Sequence, residues 1–295
     1  MFRTNSKNLH ECLSHTSPLQ ILGVINAYAA RLAEASGAKA LYLSGGGVAA
    51  ASYGLPDLGM TGLSDVLEDV RRITDTTSLP LLVDIDTGFG HVLSVARTIQ
   101  QMESAGAAAV HIEDQRMAKR CGHRPNKTII SQQEMGDRIK AAVDARVNPD
   151  FVIMARTDAY AVDGMTAALD RAAYYIELGA DMIFPEALTT LDEYQKFTTA
   201  INKPILANIT EFGKTPMFTL DQLATAGVQL ALYPLSAFRA MSKAALNTYQ
   251  AILKDGTQQS VLDTMQTRDE LYQVLDYNTF EQKMDLWEEA VDEQQ

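Results

Sequence analysis

No run of lysines or arginines occurs in the 295 residues, and acidic side chains outnumber basic ones 37 to 25, for a formal charge of −12. That balance argues against a nucleic acid or an anionic membrane surface as the main partner and leaves a small molecule. Long hydrophobic runs are missing as well. No stretch approaches the roughly 18 apolar residues of a membrane span, and the first twenty residues (MFRTNSKNLHECLSHTSPLQ) lack the apolar centre of a secretory signal. Two cysteines, Cys12 and Cys121, are too few for a disulfide framework and fit a reducing compartment. A soluble, cytoplasmic protein is therefore expected. No low-complexity linker divides the chain, so one domain over residues 1–295 is expected. A polyanionic substrate would be repelled by the bulk charge, so its site must gather cations of its own and a metal.

Hydrophobic residues make up 46% of the chain, enough for a large core. Short apolar runs alternate with segments of helical period, the pattern of βα units and a parallel sheet. Eight strands are predicted: Ile21–Ile25, Ala40–Leu43, Leu81–Ile85, Ala109–Ile112, Phe151–Ala155, Met182–Phe184, Ile205–Ala207 and Leu230–Leu232. Between them, Tyr28–Ser36, Ser64–Thr76, Leu93–Ala105, Ser131–Ala145, Thr166–Leu178, Leu191–Ala200 and Leu220–Ala226 read as helices. A small-Gly-small phrase recurs before a strand at Gly37, Gly106, Gly179 and Gly227, where glycine supplies a left-handed helix stop. This repetition predicts a (β/α)8 TIM-type barrel ahead of a doubly wound sheet. From Ala237 onward the chain is polar and helical (Ala237–Lys254, Gln258–Arg268, Asp269–Leu275, Asn278–Ala290), which predicts a carboxy-terminal helical arm over 237–295, exchanged between subunits.

In such a barrel the chemistry sits at the carboxyl ends of the strands, so polar residues just after each apolar run are the candidates. They are Ser44-Gly45-Gly46-Gly47 and Asp57, Asp84 and Asp86, Glu113 and Asp114, Arg156 and Asp158, Glu186, Asn208, Thr210 and Glu211, and finally Ser236 and Arg239. In Val83-Asp84-Ile85-Asp86-Thr87-Gly88, two carboxylates share one face of a strand. Their burial is tolerable only beside a compensating charge. Mg²⁺ suits an all-oxygen donor set, with Asp57 and Glu113 as neighbouring ligands; taken alone, the pair would also fit a turn with two solvated aspartates. Lys119-Arg120-Cys121-Gly122-His123-Arg124-Pro125-Asn126-Lys127 surrounds one thiol with cations, which lower a thiol pKa and ready it for proton transfer. The bland alternative is a solvated basic loop. The glycines at 45–47 lack a Walker Lys-Ser/Thr ending, and close backbone approach to a carboxylate explains them. His111 reads equally as a packed core histidine.

Three segments together carry a resemblance: Tyr42-Leu43-Ser44-Gly45-Gly46-Gly47-Val48-Ala49, Val83 through Gly90, and Lys119 through Pro125. The chain resembles the isocitrate lyase and phosphoenolpyruvate mutase superfamily over roughly residues 18–275. The Lys-Arg-Cys-Gly-His motif is specific for its lyase branch. The resemblance implies a Mg²⁺-dependent carbon–carbon lyase for a hydroxylated tricarboxylate. It implies Asp84 and Asp86 at the metal, and Ser44, Gly45 and Gly46 on a substrate carboxylate. Cys121 and Gly122 would face the bond being cleaved, with Lys119 and His123 tuning the thiol and Tyr42 or a carboxylate as base. Arg156, Glu186, Asn208, Ile209, Thr210, Arg239 and Arg268 would complete the substrate shell. It also implies a homotetramer with swapped carboxy-terminal helices. Phe184, Leu232 and Pro234 match positions where methyl-accepting members carry apolar groups. A decarboxylase or hydrolase of oxaloacetate-like acids, which would not need Cys121, and a non-catalytic dicarboxylate-binding barrel stay open as alternatives.

Overall fold

Alanine, leucine, isoleucine and valine fill the strand-forming runs, the composition of strands covered on both faces. The computed structural model describes residues 9–292 apart from 118, 121 and 123–125, and the chain divides into two units, residues 1–238 and 239–295. In the first unit eight strands lie parallel: β1 (Leu19–Gly23), β2 (Ala40–Leu43), β3 (Leu81–Asp84), β4 (Ala109–Glu113), β5 (Val152–Thr157), β6 (Met182–Pro185), β7 (Leu206–Asn208) and β8 (Leu230–Tyr233). Their order is β6-β5-β4-β3-β2-β1-β8-β7, and a parallel bridge between Ile183 and Ile205 joins the two outer strands. The ring nearly closes, as predicted, into a (β/α)8 barrel.

The period of two along each strand separates two apolar layers. Ile21, Tyr42, Leu82, Met154, Phe184 and Leu232 fill the barrel interior. Leu41, Leu43, Val83, Val110, Ile153 and Ile183 pack beneath the surrounding helices. These are α2 (Ala27–Ala35), α3 (Gly45–Tyr53), α4 (Leu63–Thr74), α5 (Val92–Ser104), α6 (Gln132–Ala145), α7 (Tyr160–Glu177), α8 (Leu191–Ala200) and α9 (Leu220–Thr225). Gly37, Gly106, Gly179 and Gly227 all have φ between 79° and 101°, so the repeated junction is the left-handed helix stop that the sequence pattern predicts. A short helix, α1 (Leu9–His15), precedes the barrel. Its Leu9 is fully buried in the interior cluster and Cys12 packs beside it, the Cys12 thiol donating to the Lys39 carbonyl at 3.5 Å.

Several elements depart from the sequence reading. Strand β1 begins at Leu19 rather than Ile21 because Leu19 and Gln20 find partners in Leu230 and Ala231 of β8. Val24, although outside the ladder, is still buried. The glycine run, where no helix is predicted, is the first turn of α3, a helix missed because glycine is a poor helix former. Helix α7 starts at Tyr160, but Gly164 at φ 84° interrupts it, and the stretch beyond corresponds to the predicted helix from Thr166.

In the second unit α10 (Ser236–Asp255) continues from the first. A 3₁₀ turn at Gln259–Thr264 follows, then α11 (Arg268–Leu275) and α12 (Tyr277–Asp292). The single helix predicted over 258–268 is therefore only that turn, because Thr267 caps α11 with Glu270 and fixes its start. Tyr272 and Tyr277 stack at 4.2 Å. Leu246, Tyr249, Leu253 and Phe280 are exposed. Among the described residues no helix is long and apolar enough to cross a membrane.

Candidate active site

Strand β3 ends at Asp84, and the chain then turns through left-handed backbone at Asp86 (φ 48°) and Gly88 (φ 93°). The expectation that both acids sit on the strand is corrected: only Asp84 does, and the turn brings Asp86 back toward it. A Cβ added at Gly45 would lie 3.2 Å from both Asp84 Oδ2 and Asp86 Oδ1. One at Gly46 would lie 3.0 Å from Asp57 Oδ2. A side chain at either position would press on these carboxylates by a few tenths of an ångström. Ser44 caps α3 by accepting from Gly47 N at 3.2 Å, while Gly45 N donates to Asp84 Oδ2 at 3.1 Å. Asp84 Oδ1 accepts from Asp86 N at 2.9 Å. Asp84 is thus fixed by main-chain donors at the positive end of a helix.

Burial opposes ionisation of Asp84, but the charges of His111, Lys119 and Arg156 and the Asp86 N–H hold its pKa at about 2. Burial pushes His111 itself down to about 4, so at neutral pH its ring is uncharged and the lasting pull on Asp84 comes from the two cations. Asp86 goes the other way. Burial and then the Asp84 charge push it up to about 7 despite Lys119. Lys119 Nζ lies 2.5 Å from Asp57 Oδ1 and 2.6 Å from Asp86 Oδ1. Burial favours the neutral amine, but the charges of Asp86, Asp84, Glu113 and Asp57 outweigh it and keep Lys119 protonated.

The four carboxylates of the predicted metal set have different partners in this geometry. Lys119 stands between Asp57 and Asp86, and Glu113 pairs with Arg156. Among the described residues no three His, Cys, Asp or Glu side chains form a ligand group by themselves. Asp84 and Asp86 share one space beside Gly45. They fit a hard divalent cation, which takes one or two carboxylates and completes its shell with water and substrate. Asp86 Oδ1 is buried, met by the Lys119 charge and by no hydrogen bond.

Arg156, on β5, is the hub of the opposite side. Its Nε lies 3.2 Å from Glu113 Oε2 and 3.0 Å from Asp158 Oδ2, and its Nη1 lies 3.0 Å from Glu186 Oε2. Its guanidinium carbon lies 5.1 Å from the Phe184 ring centroid. Asp158 also takes Lys127, a buried ion pair. Asn208 Nδ2 donates to Glu186 Oε1 at 3.5 Å, and Ile209 and Thr210 follow, buried, beyond β7. Burial pushes Glu113 well above the usual carboxylate range even with Arg156 beside it. Between the two sides, Tyr42 Oη and His111 Nε2 lie 3.0 Å apart, and Phe184 meets His111 edge-on at 5.3 Å. Burial, reinforced by Asp84, raises the Tyr42 phenol well above its ordinary value. At neutral pH this group donates a proton into a hydrogen bond more readily than it accepts one.

The segment between β4 and α6 crosses this site. Its two limbs meet at an antiparallel bridge between Gln115 and Ile129, and Arg116 N donates to Thr128 O at 3.1 Å. Cys121 and His123 lie outside the described residues. Their neighbour Gly122 is buried with its backbone against Arg156 and Glu186: a Cβ there would fall 2.4 Å from Arg156 Nη2 and 2.6 Å from the Glu186 carboxyl carbon. Gly122→Ala is expected to displace this segment and lower kcat about 100-fold, the scale of a misplacement near 1 Å. An unchanged kcat would contradict that close approach. A cavity of about 380 Å³ adjoins Asp86 and Lys119, with Met60, Thr61, Phe89 and Arg97 also in its wall. Arg239 and Arg268 belong to the second unit, and their part in the site rests on the resemblance.

The structure thus brings together Tyr42, Ser44, Gly45, Asp57, Asp84, Asp86 and Lys119 on one side, and Glu113, Gly122, Arg156, Glu186 and Asn208 on the other. Sequence reasoning overlooked Gln115 and the Lys127–Asp158 pair. Lys127 carried a signal, as a cation at the end of a basic segment. An uncharged amide such as Gln115 carried none.

Eight parallel strands with charged side chains gathered at their carboxyl ends define a (β/α)8 barrel enzyme. The family model for phosphoenolpyruvate phosphomutase matches residues 9–253. A solved 2,3-dimethylmalate lyase, described as a member of the phosphoenolpyruvate mutase/isocitrate lyase superfamily, has a TM-score of 0.86 at 32% identity, covering 92% of each chain. A phosphonopyruvate hydrolase, solved with oxalate and Mg²⁺, has a TM-score of 0.81 at 30% identity over 92% of this chain and 95% of its own. A protein of Vibrio cholerae named 2-methylisocitrate lyase is 63% identical over 91% of this chain and 89% of its own length. The chain belongs to the phosphoenolpyruvate mutase/isocitrate lyase superfamily, on its carbon–carbon lyase branch.

Proposed function

We propose that this enzyme cleaves 2-methylisocitrate into pyruvate and succinate and requires Mg²⁺. The observation that carries the reading is the pairing of two buried carboxylates, Asp84 and Asp86, with an Arg156 cluster against which the Gly122 backbone packs. Resemblance to a protein named for that substrate supports it. So does the likeness to a superfamily hydrolase solved with Mg²⁺.

Asp84 and Asp86 would hold the ion, with Asp57 and Glu113 in the surrounding carboxylate group. When bound, the ion supplies Lewis-acid stabilisation of negative charge on the substrate's oxygens. Ser44, Gly45 and Gly46 bind a substrate carboxylate at the amino end of α3, where helix polarity favours an anion. Arg156, Glu186, Asn208, Ile209 and Thr210 take the carboxylates of the succinate half, joined by Arg239 and Arg268. In the cleavage itself the substrate hydroxyl gives its proton to a carboxylate near the metal, the carbon–carbon bond breaks, and the electron pair stays on the succinate carbon. Cys121 donates its thiol proton to that carbon, so the thiol must be protonated before cleavage. Lys119 and His123 set its acidity. Apolar Phe184, Leu232 and Pro234 accept the methyl group. The exposed apolar residues of α10 and α12 fit a homotetramer whose carboxy-terminal helices pack on other copies.

The test is a steady-state comparison of 2-methylisocitrate with isocitrate, with products identified, before and after metal removal. The expected result is a higher kcat/KM for the methylated acid, pyruvate and succinate in equal amounts, and loss of turnover with EDTA that Mg²⁺ restores. Release of pyruvate and CO₂ from oxaloacetate without cleavage of either tricarboxylate would overturn the proposal.

A further inference from the structure

Gln115 is 1% exposed and stands directly after the Glu113-Asp114 pair at the end of β4. Its main chain is held on both sides. It forms the bridge to Ile129 that closes the base of the 116–128 segment, and its carbonyl accepts from the buried Arg138 at 3.5 Å. From that anchor its side chain reaches into the segment and meets one residue twice. Nε2 donates to Arg120 O at 2.9 Å, and Oε1 accepts from Arg120 N at 3.0 Å. The amide therefore acts on Arg120 as a neighbouring β-strand would, satisfying both peptide groups that the segment could not otherwise pair once it leaves the sheet.

The residue so held lies between two groups of the site. Lys119, immediately before it, puts its ammonium between Asp57 and Asp86, and Gly122, two residues after it, lies against Arg156 and Glu186. The Arg120 side chain itself is exposed. Fixing Arg120 therefore fixes its flanks, because the backbone between 119 and 122 has few dihedrals left with which to absorb a shift. A methyl's width of drift would separate Lys119 from its carboxylates or drive Gly122 off the Arg156 cluster.

We propose that Gln115 is a positioning residue: its amide clamps the Arg120 peptide and thereby sets where Lys119 and Gly122 stand over the strand ends. This rests on the reading of the site as that of a 2-methylisocitrate-cleaving lyase, and it adds a determinant of rate that touches neither substrate nor metal. Loss of the clamp should lower kcat more than it raises KM, because the groups assigned to the substrate's carboxylates lie outside the 116–128 segment and stay in place.

The test uses Gln115→Met, which keeps side-chain length and loses both hydrogen bonds, and Gln115→Asn, which keeps the amide but is too short to reach Arg120. Two measurements are made on the full-length enzyme. One is kcat and KM for 2-methylisocitrate; the other is the rate of tryptic cleavage after Lys119 and Arg120 under native conditions. Both variants should show kcat reduced about 10- to 100-fold with KM within about threefold, and cleavage faster by about tenfold. Cleavage at the parental rate in both variants overturns the clamp, whatever the substrate proves to be. Faster cleavage with undiminished kcat overturns its role in positioning. If the parental enzyme leaves 2-methylisocitrate untouched, the proposed reaction falls, and the protease measurement still decides whether Gln115 holds Arg120.

Discussion

Arg156→Met is expected to destabilise the barrel by about 3–5 kcal/mol, the usual consequence of removing one partner from a buried ion pair. Arg156 is almost fully buried and is shared by Glu113, Asp158 and Glu186. Burial disfavours its charge, but those three carboxylates more than compensate and raise its pKa well above the ordinary arginine value. Without the guanidinium, Lys127 still faces Asp158 and Asn208 still donates to Glu186. Glu113 then has no cation within ion-pair distance among the described residues. Thermal unfolding measures the loss, expected as a fall in Tm of roughly 10 °C at this chain length. The companion variant Arg146→Met loses an ion pair of 2.6 Å to Asp181 that is partly exposed to water. It should cost no more than about 1 kcal/mol. Equal losses in the two variants would mean that burial of the Arg156 cluster contributes nothing.

Cys121→Ser is expected to lower kcat by about 10²- to 10⁴-fold, the range a positioned general acid contributes. In the proposed reaction the nascent succinate carbanion must be protonated inside the site. A thiol with an ordinary pKa near 8.5 gives up its proton far more readily than an alkanol does. Serine preserves the shape and removes most of the acidity. The proposed role of the thiol is proton donation and not metal binding, so Mg²⁺ affinity by calorimetry and Tm should both hold near the parental values. An enzyme that decarboxylated or hydrolysed an oxo acid would form a metal-stabilised enolate whose protonation does not require Cys121. Undiminished kcat in the serine variant would therefore remove the proton-donor role and revive that alternative.

The barrel was legible because its evidence repeats. Four glycine-terminated helices and eight apolar runs each carry the same instruction, and an error of two residues in β1 leaves the architecture intact. The acids at strand ends were legible for a related reason: a carboxylate next to an apolar run stands out whatever its partners. What could not be read was pairing. Asp57, Asp86 and Glu113 look alike in sequence, yet Lys119 engages the first two and Arg156 the third. Those pairings arise from distances across the barrel mouth that no local spacing encodes. Helix α3 was hidden for a different cause. Its glycines are wrong for helix propensity and right for packing against Asp84 and Asp57, and tertiary packing prevailed.

The two halves of this mouth are secured by different means. Asp84 is gripped by peptide N–H groups of α3 and of the turn after β3, which go only when the barrel goes. Beyond the short bridge at its base, the crossing segment is held among the described residues by side chains such as Gln115, Lys119 and Lys127, each removable without unravelling a strand. Partial opening under mild heat or denaturant should begin at that crossing segment, so catalysis would fade while the secondary-structure signal was still whole.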